Sequence, residues 1–271
     1  MNAPILLVVA TLTLYATATG LIWRERARQR AATGSWWVLL IGVLAVIGHG
    51  AMTALSLGAD GGLNLDLLRV LVLLLFVATL FVMVASFFAP VSNLLLFAFP
   101  GSALVVALYG LGSPPQTTHV SLSAPLIGHI LFAIVAYGIL LMATGQSLLL
   151  AFQERRLKAR NNSGLLQVLP PLETMERLLF AMLWLGIVVL TFAIATGFGY
   201  LDNMFGQRVV HHTILACLSW LVYALLLAGR HLFGWRGTTA VRFTLVAFVL
   251  LVLAYLGSKF VIEILLSGSS Q

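Results

Sequence analysis

The chain has 271 residues, of which 61% are hydrophobic and only 8% charged, and its mean hydropathy is +1.06. That leaves little material for a separate soluble domain. The single cysteine, Cys217, excludes an internal disulfide or a Cys-X-X-Cys exchanger. A formal charge of +7 would suggest nucleic acid in a soluble protein. Here the basic residues gather between apolar stretches, so the expected partner is a lipid bilayer and no nucleic acid.

A spanning helix needs roughly 20 apolar residues. Eight such stretches follow one another, at about 4–23, 35–57, 67–88, 93–112, 126–152, 177–199, 209–229 and 241–266. The predicted fold is an all-α integral membrane protein, a bundle of eight transmembrane helices forming one polytopic domain over 1–271. Arg24, Arg26, Arg28 and Arg30 follow the first span. Arg155, Arg156, Lys158, Arg160 and Arg177 lie in or border the connection between spans 5 and 6, and Arg230, Arg236 and Arg242 flank that between spans 7 and 8. Only Arg69, Arg208 and Lys259 fall on the other side, so the positive-inside rule puts both termini on the outer, periplasmic side. In the first stretch the charges follow the apolar run, and no small-residue cleavage site precedes them, which reads as a retained helix rather than a secretory signal.

Trp36 and Trp37 open span 2 as an interfacial aromatic belt. Pro100 falls inside span 4. The outer connection Ser113–Pro125 contains His119, either solvated or a mobile ligand above the bundle. The longest connection, Gln153–Glu176, carries charges and Pro170-Pro171 and reads as a solvated cytoplasmic linker. Gly234-Trp-Arg-Gly237 reads as a turn with an interfacial anchor, and Lys259 either snorkels outward or pairs with Glu263.

Three histidines occupy positions where an ordinary membrane helix carries apolar side chains: His49, His129 and His212. An imidazole there lacks water and needs a partner, a ligand or a cavity. At helical spacing His49 shares a face with Gly42, Ala45, Thr53 and Ser56, His129 with Ala133, Ala136, Tyr137 and Thr144, and His212 with Ala216, Ser219 and Tyr223. Small neighbours admit a planar group beside the helix, and they equally permit tight helix packing. His211 instead runs into Leu215, Leu218 and Val222, a lipid or core stripe, and His231 lies in a charged loop.

By helical rise, His129 and His212 lie within roughly 6 Å of the outer ends of their spans, and His49 about 12 Å deep. Two histidines at matched depth suit the axial positions of a non-covalent, b-type haem, and Arg208 is placed to pair with its propionates. The same three histidines, His129, His212 and His49, are the candidate metal ligands. Interhelical hydrogen bonding is the competing reading. No carboxylate or thiolate accompanies them within a helix, so a hydrolytic metal site is poorly supported. No phosphate loop, Ser-His-Asp set or H-E-x-x-H is present.

His129-Ile-Leu-Phe-Ala-Ile-Val-Ala-Tyr137 and His212-Thr-Ile-Leu-Ala-Cys-Leu-Ser-Trp220, running on to Arg230, resemble the cytochrome c assembly membrane family, especially its compact HemX-like branch. Gly234–Gly237 and Ala254-Tyr-Leu-Gly-Ser-Lys-Phe-Val261 extend the likeness. It is strongest over 126–266 and looser, through His49, in the first half. The resemblance implies a haem-handling protein of a bacterial-type inner membrane. Larger relatives hold haem on outer histidines near a tryptophan-rich loop and present it to apocytochrome c. His129 matches the family's outer histidine before span 5, and His212 the start of the helix after the other outer loop. The tryptophan-rich loop is missing here, so haem binding, transfer or sensing is the expectation that survives. No substrate turnover is expected. A transporter, or a regulatory subunit of a membrane complex acting in tetrapyrrole synthesis or divalent-cation handling, is the alternative.

Overall fold

A computed structural model describes residues 3–27, 36–58, 66–112, 124–159, 169–200 and 207–257. Apolar sequence in a bilayer must satisfy its backbone internally, which helices do. The described residues form α1 (Ala3–Ala27), α2 (Trp36–Gly58), α3 (Leu67–Ala85), α4 (Leu95–Leu111), α5 (Ala124–Lys158), α6 (Leu172–Tyr200), α7 (Gln207–Phe233) and α8 (Thr238–Val252). A 3₁₀ turn, Ser92–Leu94, precedes α4, and a π turn, Leu253–Gly257, continues α8. All eight helices are long and apolar enough to cross a membrane, and no strand occurs among the described residues. Pro100 lies inside α4, as expected.

The connection expected over Gln153–Glu176 is shorter in the structure. α5 runs on to Lys158 because Glu154 and Lys158, four residues apart, pair at 2.7 Å. Arg155, Arg156 and Lys158 also place positive charge in the last turn, against the helix dipole. Gln153 Nε2 donates to the Pro170 carbonyl at 3.0 Å, and α6 starts at Leu172, directly after Pro171. His119, Asp60, Asp202, Lys259 and Glu263 lie outside the described residues, as does the predicted end of span 8.

The chain divides into two compact units, Met1–Ser121 with Gln153–Leu172, and Leu122–Phe152 with Glu173–Gln271. In the first, α1 packs on α2 and α4, and α3 on both α2 and α4. Val8, Met52, Val72, Val105 and Val106 form one core cluster there. α1 and α2 approach closely at Gly48, where an added Cβ would lie 2.7 Å from Thr11 Oγ1. Thr79 and Ser102 hydroxyls bond at 2.7 Å between α3 and α4. Trp36 and Trp37 are exposed and stacked, as an interfacial pair would be.

In the second unit polar side chains tie four helices in a ring. Gln146 Nε2 on α5 donates to Met175 O on α6 at 3.0 Å, and Trp220 Nε1 on α7 donates to Thr191 Oγ1 on α6 at 2.8 Å. Ser219 Oγ on α7 donates to Ala247 O on α8, and Tyr137 OH on α5 to Leu251 O on α8, both at 2.7 Å. Each such bond is worth only roughly 0.6 kcal/mol within a membrane. Four of them around a ring fix the register of the helices more than their depth of packing.

At one end of this unit Glu176, 6% exposed, takes Arg230 Nη1 at 3.0 Å and Arg236 Nε at 3.7 Å. Arg230 also reaches the Trp235 carbonyl at 3.3 Å and lies 4.7 Å over the Phe180 ring. Gly234 and Gly237 hold positive φ, 67° and 57°, so Gly234-Trp-Arg-Gly237 is a turn, as its sequence predicts. It folds the Trp235 ring back onto Gly229.

Candidate functional site

Small residues on α6 and α7 leave a half-open cleft lined by His129, Ile194, Gly197, Phe198, His212, Thr213, Ala216 and Cys217. The two histidines expected at matched depth therefore share one cleft. Of the residues predicted on their faces, Ala136, Tyr137 and Thr144 beside His129, and Ser219 and Tyr223 beside His212, are buried, while Ala133 and Ala216 are half-buried. On the other stripe of α7, Leu218 is exposed. The side chains of His211 and Arg208, both in the first turns of α7, lie outside the described residues.

Each imidazole is held by a helix other than its own. His129 Nδ1, from α5, lies 2.8 Å from Ala193 O on α6, and His212 Nδ1, from α7, lies 2.9 Å from Ala254 O in the π turn. A carbonyl oxygen can only accept, so in both neutral rings Nδ1 carries the hydrogen. Nε2 is left with its lone pair. This is the arrangement by which a backbone acceptor fixes the tautomer of a metal-binding histidine and raises its basicity. π turns also recur at functional sites.

The structure does not bring His49 into this cleft; it belongs to the other unit. There it is 0% exposed, with Nδ1 2.9 Å from Tyr15 OH and its ring edge-on to Tyr15 and Phe76. A hydroxyl donates or accepts, so this partner does not fix the tautomer. Nε2 is buried without a hydrogen-bond partner among the described residues. Ala45, Thr53 and Ser56, predicted to share its face, are buried beside it in sequence register.

Among the described residues no group of three His, Cys, Asp or Glu is placed to hold a metal ion. Two imidazoles alone are too few for a four-coordinate zinc. They suffice for haem, whose porphyrin supplies four donors and asks two of the protein. The cleft's volume is about 50 Å³, well below the roughly 300 Å³ at which ligand pockets begin.

Sequence reasoning missed Ile194, Gly197, Phe198, Thr213 and Cys217 as cleft residues. Cys217 is five residues beyond His212, so the expectation that no thiol accompanies the histidines in a helix is corrected: the thiol shares the cleft, outside ligand geometry. The signal for Gly197 was present as Ala193-Ile-Ala-Thr-Gly197, a small-xxx-small pair that lets another helix approach. A Cβ at Gly197 would lie 2.9 Å from His129 Cε1 and 3.1 Å from Nδ1. Gly197→Ala should therefore push the ring off the Ala193 carbonyl, and if His129 serves as a ligand this would weaken binding of the bound group by at least about tenfold, the usual cost of losing an outer partner of a ligand. Haem titration of the variant checks this, and unchanged affinity would show that the His129–Ala193 contact is dispensable.

The model of the family described as cytochrome C assembly protein matches residues 37–266. The inner membrane protein YpjD of Escherichia coli (strain K12) is 29% identical over 266 residues, covering 96% of this chain and 97% of its own. Protein HemX of Brevibacillus brevis is 26% identical over 157 residues, 57% of this chain and 58% of its own. An uncharacterized 28.8 kDa protein of Azospirillum brasilense is 38% identical over 140 residues, about half of each chain. No solved structure matches. The match to the family model spans most of the chain, and with eight helices apolar enough to cross a bilayer, this protein belongs to the cytochrome c assembly protein family.

Proposed function

We propose that this is a haem-binding protein of the bacterial-type inner membrane, aiding haem delivery or cytochrome c assembly without turning over a substrate. One observation carries the reading: His129 and His212 line a common cleft, and both are anchored through Nδ1 on backbone carbonyls. Both rings are thereby poised to offer Nε2 to an iron. Family membership and the name of the YpjD relative support the setting. The haem is b-type, held without covalent bonds, and Arg208 is assigned to its propionates. His49 is assigned an inner ligand or relay position, and apocytochrome c is the candidate recipient. The test is a visible spectrum of the detergent-purified protein supplied with haem. A Soret band of the two-histidine type is expected; its absence overturns the reading.

In this reading the basic ends of α1, α5 and α7 face the cytoplasm and both termini the periplasm. Reporter fusions after Arg30 and near Lys158 should report cytoplasmic, those after Asp60 and at the C-terminus periplasmic. A cytoplasmic C-terminus would break the orientation.

A further inference from the structure

One edge of α8 collects three side-chain hydrogen bonds. Ser219 Oγ reaches Ala247 O at 2.7 Å, Tyr137 OH reaches Leu251 O at 2.7 Å, and His212 Nδ1 reaches Ala254 O at 2.9 Å. The acceptors are spaced four and then three residues apart, the period of one helix face, and all three are 0% exposed. The last of them lies where α8 gives way to the π turn. Aromatic contacts run alongside: the Tyr137 ring is edge-on to Tyr255 at 6.3 Å, and Tyr255 edge-on to His212 at 6.2 Å.

We infer that Tyr137 is a positioning residue for His212, its hydroxyl holding the last α-helical carbonyls of α8 so that the π turn presents Ala254 O to Nδ1. Tyr137 lies two turns from His129 on α5, so one helix carries one imidazole and steers the helix that orients the other. In a packing role the ring alone would serve. The buried hydroxyl, 2.7 Å from its acceptor, is what a positioning role adds. The inference rests on the proposed role of His212 as a ligand.

The test is Tyr137→Phe, which keeps the ring and removes the hydrogen bond. In ligand-free protein reconstituted in nanodiscs with ¹⁵N-labelled histidine, the His212 signals (assigned with His212→Ala) should show Nδ1 protonated in the native chain. In Tyr137→Phe the ratio of Nδ1–H to Nε2–H forms should fall by about two- to tenfold, the range one hydrogen bond is worth. With haem supplied, the variant's low-spin signal should broaden or split while the native chain's stays single. A Tyr137→Phe protein with native tautomer ratio and native low-spin signal overturns the inference. A native protein that takes up no haem overturns the haem reading instead, and the tautomer ratio still decides this one. If Tyr137→Phe does not fold, Tyr255→Leu should shift the ratio in the same direction, and an unchanged ratio there counts against the inference.

Discussion

The His129→Ala/His212→Ala double variant is expected to lose its Soret band altogether, whereas His231→Ala should keep the native spectrum. Each imidazole has its tautomer set by a carbonyl on a neighbouring helix, so each contributes an unprotonated Nε2 already oriented by the fold. On the proposed haem reading, removing one would leave the iron a single protein ligand and should convert a low-spin spectrum into a high-spin one with weakened retention. Removing both leaves a cleft lined by apolar groups, a threonine and one thiol, with no nitrogen donor. His231, expected in a loop, is an exposed residue in the last turn of α7 against the Trp184 ring and serves as a control of equal chemistry. His211→Ala should be mild, because its stripe runs into exposed Leu218. His49→Ala should alter occupancy without abolishing binding, since His49 lies in the other unit. A native spectrum from the double variant would sink the ligand assignment. If His211 proved essential and His212 dispensable, the assignment would have to be redrawn.

Arg230→Met is expected to be the most destabilising single change at the charged end of α6 and α7. It strands the Glu176 carboxylate, whose side chain is 8% exposed, with only Arg236 at 3.7 Å. Arg236 is itself 71% exposed and screened by solvent, so it compensates poorly. Breaking a fully buried pair costs roughly 3–5 kcal/mol. With Arg230 partly exposed and Arg236 still near, about 2–3 kcal/mol is expected here. Thermal unfolding in detergent measures it. Glu176→Met added to Arg230→Met should recover most of the loss, because the stranded charge goes with it. A double variant no more stable than Arg230→Met would mean that packing on Phe180 and the bond to Trp235 carry the stability.

The sequence by itself determined the class and the spans. Lipid imposes a length and an apolar composition that are local, additive properties, so eight helices could be counted without knowing any contact. Helical period also placed Tyr137 below His129, and Tyr223 below His212, because a face is a matter of spacing alone. The ends of α5 and α6 were legible only in hindsight, since one Glu154–Lys158 pair and a Pro-Pro start outweighed the polar look of the connection. Tertiary structure decided which partners hold the histidines. Ala193 O and Ala254 O are backbone acceptors on other helices; a carbonyl has no residue code, so no pattern could announce that it fixes a tautomer. The same holds for Tyr137 on Leu251 O. His49 shows the converse: on sequence it shared a small-residue face with the other two but lay deeper, and packing encloses its ring between Tyr15 and Phe76, outside the cleft that His129 and His212 share.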